Sequence, residues 1–143
     1  MSRHTTLAFV AALIAGCATV GERSTHEGDW EVLSGIAPGV SAMSPEQVRM
    51  LGRTPVRYDA DAARFGEQAC EDPEYEQSVL DPEAFGVAYG VTPQQLGLGD
   101  GAVTRLEVRC DGGWDGPGAT LLLDLPERML TPWDGVFFEM GRP

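Results

Sequence analysis

The chain has no Lys and no Asn; its ten cationic residues are all Arg, against 22 Asp and Glu. Clustered cations are what hold a nucleic-acid backbone, so the shortage argues against nucleic-acid partners. Histidine is scarce too: His4 precedes the first apolar run, leaving only His26 in the body of the chain. A serine or cysteine nucleophile needs a base, and a lone His near the front offers little for a catalytic triad. The longest uninterrupted apolar stretch near the start, Leu7 to Ile14, is far short of the roughly 20 residues that span a bilayer as helix. What remains is 143 residues with 43% hydrophobic content, enough for one packed domain and too much for a disordered chain.

The start reads as an export signal, with Arg3 before the short apolar run and small residues after it. Its end, Leu13-Ile14-Ala15-Gly16-Cys17, resembles the lipobox of bacterial lipoproteins. That resemblance implies a signal peptide over 1–16, a lipidated Cys17, and a tether over 17–28 leading into one β-rich domain over 29–143. Several acyl chains, each contributing about 0.8 kcal/mol per buried methylene, make such anchoring effectively permanent. Ala18 after the Cys, in place of Asp, implies by the same resemblance the periplasmic side of a Gram-negative outer membrane. Without Arg3 the rest of the chain holds nine Arg against 22 acids, a charge of −13 with His neutral. In an oxidising compartment, with Cys17 acylated, the remaining Cys70 and Cys110 pair into one disulfide. A loop of about 40 residues closed in this way contributes roughly 3 to 4 kcal/mol in the chain-entropy model.

Alternation of period two recurs along the domain and predicts half-buried strands. Thr104, Leu106, Val108 and Cys110 share one phase, as do Ala119, Leu121, Leu123 and Leu125, and later Val136, Phe138 and Met140. Between the last two sets, Pro126-Glu127-Arg128 makes a turn, Met129 to Trp133 a short strand, and Asp134-Gly135 a tight hairpin turn. Earlier strands are predicted over 29–34, over 54–60 with Val56 and Tyr58 inward, and over 74–80 with Tyr75 and Val79 inward. Three short helices start at Ser44-Pro45, Asp81-Pro82 and Thr92-Pro93, each a capping residue followed by Pro, and should stop at Gly52, Gly90 and Gly97. Their inward residues are Val48 and Leu51 in the first, and Phe85, Ala88 and Tyr89 in the second. The expected fold is therefore mainly β: a small antiparallel barrel or curved sheet of about seven strands with two or three short helices.

Gly28-Asp29-Trp30 opens the first strand and Arg142 follows the last. This pair resembles the Gly-x-Trp opening of lipocalin-like barrels, and the resemblance implies a Trp30 that plugs the barrel base with Arg142 packed across it. No second lipocalin motif is present. Trp30 is expected to be buried and Trp114, among four glycines, to face solvent.

Motifs for chemistry fall short. Gly39-Val40-Ser41-Ala42-Met43 lacks the final Gly of a nucleophile elbow. Asp111 to Gly116 has half of a calcium loop, without an acid at the third position or a Glu at the twelfth. Asp59 and Asp61, two apart, would share a strand face, and Glu71, Asp72, Glu74 and Glu76 form an acidic run beside Cys70; such runs are usually solvated faces. The expectation is a protein that is not an enzyme and has no cofactor. The segment from Gly35 to Met43 is apolar without alternation, and Ile36, Val40, Ser41 and Met43 are its candidate binding residues, either as a lid over one barrel end or as an exposed recognition loop. The functional expectation is a lipid-anchored binding module, an inhibitor of basic cell-wall hydrolases drawn in by its negative charge. The alternatives are a lipocalin-like carrier of a small apolar ligand and a structural envelope lipoprotein. The Ser-Gly-x-x-Tyr loop of some hydrolase inhibitors is not met, because Ser34-Gly35 runs on to Pro38.

Overall fold

The computed structural model describes residues 26–124 and 126–143. Cys17, the signal segment 1–16, the tether over 17–25 and Leu125 lie outside the described residues. The strands are β1 (Gly28–Ile36), β2 (Pro55–Tyr58), β3 (Ala62–Phe65), β4 (Gln68–Glu71), β5 (Glu74–Leu80), β6 (Val103–Arg109), β7 (Thr120–Asp124), β8 (Arg128–Trp133) and β9 (Val136–Gly141). They form one antiparallel sheet in the order β4-β3-β2-β1-β9-β8-β7-β6-β5, curled into a half-barrel. Nine strands replace the expected seven. The two additional ones, β3 and β4, are four residues each, too short for alternation to stand out, and they pair around the turn at Gly66-Glu67 with Ala63 opposite Cys70.

The edge strands β4 and β5 are consecutive in the chain, separated only by Asp72 and Pro73. Eight antiparallel steps across the sheet make them run in the same direction, so they are one path whose first half pairs with β3 and whose second half pairs with β6. Asp72 makes the corner at φ +50°, its N–H donating to the Asp61 carbonyl at 2.8 Å, and Pro73 has no N–H to give. The ladder with β6 ends at Glu74 opposite Arg109. One residue further on, Cys110 is bonded to Cys70 with 5.8 Å between the Cα atoms. The disulfide expected from the sequence thus joins β4 to the end of β6 where backbone pairing has stopped.

The inner face is packed with Trp30, Val56, Tyr58, Leu121, Phe138 and Met140, among others, each almost fully buried. Gly118 enters this interior: its carbonyl accepts from the Tyr58 hydroxyl at 2.8 Å and its N–H donates to Thr131 Oγ1 at 2.7 Å. A Cβ there would lie 2.9 Å from the Phe65 ring and 3.0 Å from Tyr58 Oη, and with φ at +98° only Gly fits without strain. Helix α1 (Pro45–Met50) is held by the predicted capping box between Ser44 and Gln47 and lays Val48, with Leu51, against the same core.

A second core lies on the outer face. Helix α2 (Pro82–Tyr89), capped by Asp81 and stopped by Gly90 in the left-handed conformation, and a 3-10 turn (Pro93–Leu96), boxed by Thr92 and Gln95, fold back over β6 to β9. Phe85 and Leu96 are buried there against Val103, Leu122, Leu130 and Phe137. Ala88, expected inward, is exposed; of the predicted helical stripe only Phe85 and Tyr89 reach the sheet.

Three further expectations are corrected. Val79 has the inward phase, opposite Thr104, but is 63% exposed because the curl leaves that end of β5 uncovered. Trp114 is half-buried, not solvent-facing: it packs on the inner core and its indole N–H donates to the Pro117 carbonyl at 3.1 Å. His26, placed by sequence in the tether, is buried with its ring 4.6 Å from Tyr75. Its carbonyl accepts the Trp30 indole N–H at 2.8 Å, and the Arg142 guanidinium lies 3.7 Å over the Trp30 ring.

Candidate functional site

The clearest concave feature lies on the outer face, where the end of α2 leaves the sheet and the β8–β9 hairpin projects beyond it. A cleft of about 620 Å³ is lined by Pro38 to Val40, by Ala88 to Val91, by Thr120, and by the hairpin from Pro132 to Gly135 with Phe137. Two aromatic side chains of the outer layer contribute, Tyr89 and the almost fully buried Phe137, whereas Trp133, opposite the inward Val136, packs on the inner core. Tyr89 is held by neighbours, 4.9 Å from the Phe85 ring and 6.0 Å edge-on from Phe137. Burial pushes its phenol above the ordinary value, partly offset by the Arg105 guanidinium. Such a group stays a neutral donor at physiological pH.

The hairpin tip is fixed by its own backbone. Asp134 and Gly135 both have positive φ, +51° and +81°, which is the geometry a two-residue turn requires when it follows strand twist. The loop before α1 then clamps that turn: Ala42 N–H donates to the Asp134 carbonyl at 2.9 Å and Ser41 Oγ to the same oxygen at 3.2 Å. The approach is so close that any Cβ on Gly135 would collide with the Val40 carbonyl. Loop and hairpin, some 90 residues apart in sequence, form one wall.

The candidate binding residues divide between the two faces of this wall. Ile36 is half-buried in the outer core and Met43 packs on the inner one. Ser41 is engaged in the clamp, with Oγ also accepting from Met43 N–H at 3.0 Å. Val40 alone faces outward, 98% exposed at the cleft rim. The segment is therefore packed down at Ile36 and Met43 and exposed at Val40. Tyr89, Trp133, Asp134 and Phe137 were not singled out for binding by sequence, although the Asp134-Gly135 turn was. Their convergence comes from α2 folding back on the sheet.

The remaining motifs have structural work. Asp59 and Asp61 do not share a strand face; Asp59 closes the β2–β3 turn, its Oδ1 accepting from the N–H groups of Asp61 at 2.9 Å and Ala62 at 2.7 Å. Those two N–H groups hold its carboxyl below the ordinary range. Asp111 to Gly116 is a turn with Gly112, Gly113 and Gly116 at positive φ. Among the described residues no three His, Cys, Asp or Glu side chains group as metal ligands.

A second, smaller concavity of about 420 Å³ lies outside β2 and β3 beside Arg57 and Arg64. Arg57 there is exposed and paired to Asp29 at 2.7 Å and Asp59 at 3.1 Å, pairs that solvent and salt screen. Comparison of the chain with protein-family models, with curated proteins and with solved structures found no match.

Proposed function

We propose that this protein is a binding module for a basic protein partner, an inhibitor-like companion of cationic cell-wall hydrolases, held by an acylated Cys17 on the periplasmic side of an outer membrane. The observation that carries the reading is the charge of the folded surface. Among the described residues 21 carboxylates stand against eight Arg, and four of those Arg, at 57, 105, 109 and 128, are already ion-paired. An excess of that size raises the encounter rate with a cationic protein at low salt. The outer cleft, with the exposed Val40 beside it, is a rigid surface on which such a partner can seat.

The test is a titration of the purified protein against a panel of basic wall hydrolases and apolar ligands at two salt concentrations. Binding to a basic hydrolase that weakens sharply as the Debye length falls from about 10 Å at 0.1 M to about 3 Å at 1 M supports the reading. Salt-independent uptake of a lipid, with no affinity for any cationic protein, replaces it with a carrier.

A further inference from the structure

We infer that His26 is an acid-released latch: its neutral ring fastens the entry of the chain onto one end of the half-barrel, and protonation of that ring frees His26 and Glu27 while the sheet stays folded. The inference does not depend on the identity of any partner. Three observations carry it.

The first is where the ring sits. His26 is 6% exposed and lies two residues before β1, with its ring 4.6 Å from Tyr75 and 6.4 Å edge-on from Tyr58. Tyr58 belongs to β2 and Tyr75 to β5, strands that share no ladder. The imidazole therefore stands between two parts of the sheet that backbone pairing does not join.

The second is chemistry. Nε2 of His26 has no hydrogen-bond partner, and the phenols beside it donate elsewhere, Tyr58 to the Gly118 carbonyl at 2.8 Å and Tyr75 to the Asp59 carbonyl at 2.7 Å. An imidazolium has two N–H donors to satisfy, and a buried cation without an acceptor is costly. Two charged groups bear on the ring: the Glu27 carboxylate favours the proton and the Arg142 guanidinium opposes it. Burial outweighs both and keeps the pKa below 6.5. The phenols do not titrate in this range, because burial raises both, Tyr75 to about 12. The Asp59 carboxylate turns away to the N–H groups of Asp61 and Ala62.

The third is that the latch can open alone. His26 and Glu27 precede the first ladder pair, Gly28 with Tyr58. Besides the ring contacts, two side-chain donors hold them: the Trp30 indole N–H to the His26 carbonyl at 2.8 Å and the Arg142 guanidinium to the Glu27 carbonyl at 2.7 Å. Losing both bonds breaks no strand pairing. Below pH 6.5 the released ring takes up the proton that the buried one refuses, so the opening constant rises up to tenfold per pH unit until the pH reaches the closed-state pKa.

The experiment follows the isotope-labelled full-length protein by NMR from pH 8 to pH 5. It reads the His26 imidazole, the indole N–H signals of Trp30 and Trp114, and the backbone amides of β7, a strand paired on both sides. Trp30 reports the latch through its bond to the His26 carbonyl, and Trp114, bonded to the Pro117 carbonyl, is the control. The expected result is a Trp30 shift that tracks the His26 titration below pH 6.5, with exchange against water at least tenfold faster relative to Trp114, while Trp114 and β7 hold their positions. In His26→Phe, whose ring has no proton to gain, the Trp30 signal should stay constant across the range. Glu27→Gln removes the carboxylate that favours the proton and leaves the ring in place, so release should move to lower pH; an unmoved midpoint overturns the inference even if His26→Phe does not fold. An imidazole that titrates while Trp30 stays unchanged also overturns it, since the cation is then tolerated in place. So does a His26 that remains neutral down to pH 5, a Trp30 shift that His26→Phe retains, or loss of the β7 amides at the same pH, which is unfolding of the whole domain.

Discussion

The two halves of the sheet are built differently. Across β2 and β3, burial strictly alternates: Val56 and Tyr58, then Ala63 and Phe65, are buried, while Arg57 and Arg64 face water. Across β7 and β9 both phases are buried. Leu121 and Leu122 are each fully enclosed, as are Val136 and Phe138, and Phe137 between them is 4% exposed. The difference is one layer, α2 with its following 3-10 turn, which covers the outside of β6 to β9 and leaves β2 to β4 bare. A strand covered on one side needs polar residues on the other; a strand covered on both reads as a continuous apolar run. The candidate site sits at the edge of the added layer, where cover ends at the half-buried Tyr89.

The strongest way to break that comparison is to remove the anchor of the outer layer. Phe85→Ala should cost about 3 to 5 kcal/mol, since a fully buried ring leaves a cavity, whereas Arg64→Ala on the bare half should stay within about 0.5 kcal/mol. Urea unfolding of both variants measures this. Comparable midpoint shifts would mean that the outer layer contributes no packing of its own.

Next in size is the bond that joins the halves. Replacing Cys70 and Cys110 together by Ser should lower stability by roughly 3 to 4 kcal/mol, the chain-entropy value for a closed loop of 40 residues. Hydrogen exchange should also show β4 opening before β7, because β4 has backbone pairing on one side only. If β4 stays as protected as β7 without the disulfide, the Asp72 corner alone holds the ends.

The smallest effect sharpens the boundary of the singly covered half. His26 is 6% exposed, its Nε2 has no hydrogen-bond partner, and burial keeps its pKa below the ordinary 6.5. Glu27 draws it back up and Arg142 pushes it further down. The unfolded chain then binds the proton more readily than the folded one. The neutral ring's contribution is complete above pH 6.5 and is lost as pH falls from there toward the folded value. Melting temperatures of the parent between pH 8 and 5 should fall more steeply than those of His26→Phe. Parallel curves would place the imidazole in solvent.

What could be read from the chain alone follows the range of the forces concerned. Each helix start was legible at Ser44, Asp81 and Thr92, and two of the stops at Gly90 and Gly97, because a cap is a bond between residues three or four apart; the first helix, expected to stop at Gly52, is capped one residue earlier at Leu51. So was the turn at Asp134-Gly135, whose φ values are set locally. The inner phase of Val56, Tyr58, Leu106 and Phe138 was legible for a related reason: a strand has only two faces, and alternation reports which one is dry. The disulfide was expected from two remaining thiols once the start of the chain was read as an export signal. β3 and β4 escaped because four residues carry too little periodicity.

Tertiary structure decided the rest. Leu122 and Phe137 fall on the phase opposite the residues read as inward, Leu130 lies in a strand with no phase assigned, and nothing local says that Phe85 and Leu96 return to cover them. His26 looks like tether until Tyr58 and Tyr75 close around it. The cleft joins Val40, Tyr89 and Trp133 through packing between segments some 50 and 90 residues apart. That juxtaposition is created by burial of apolar surface, which is non-directional and leaves no spacing in the sequence to announce which distant segments will meet.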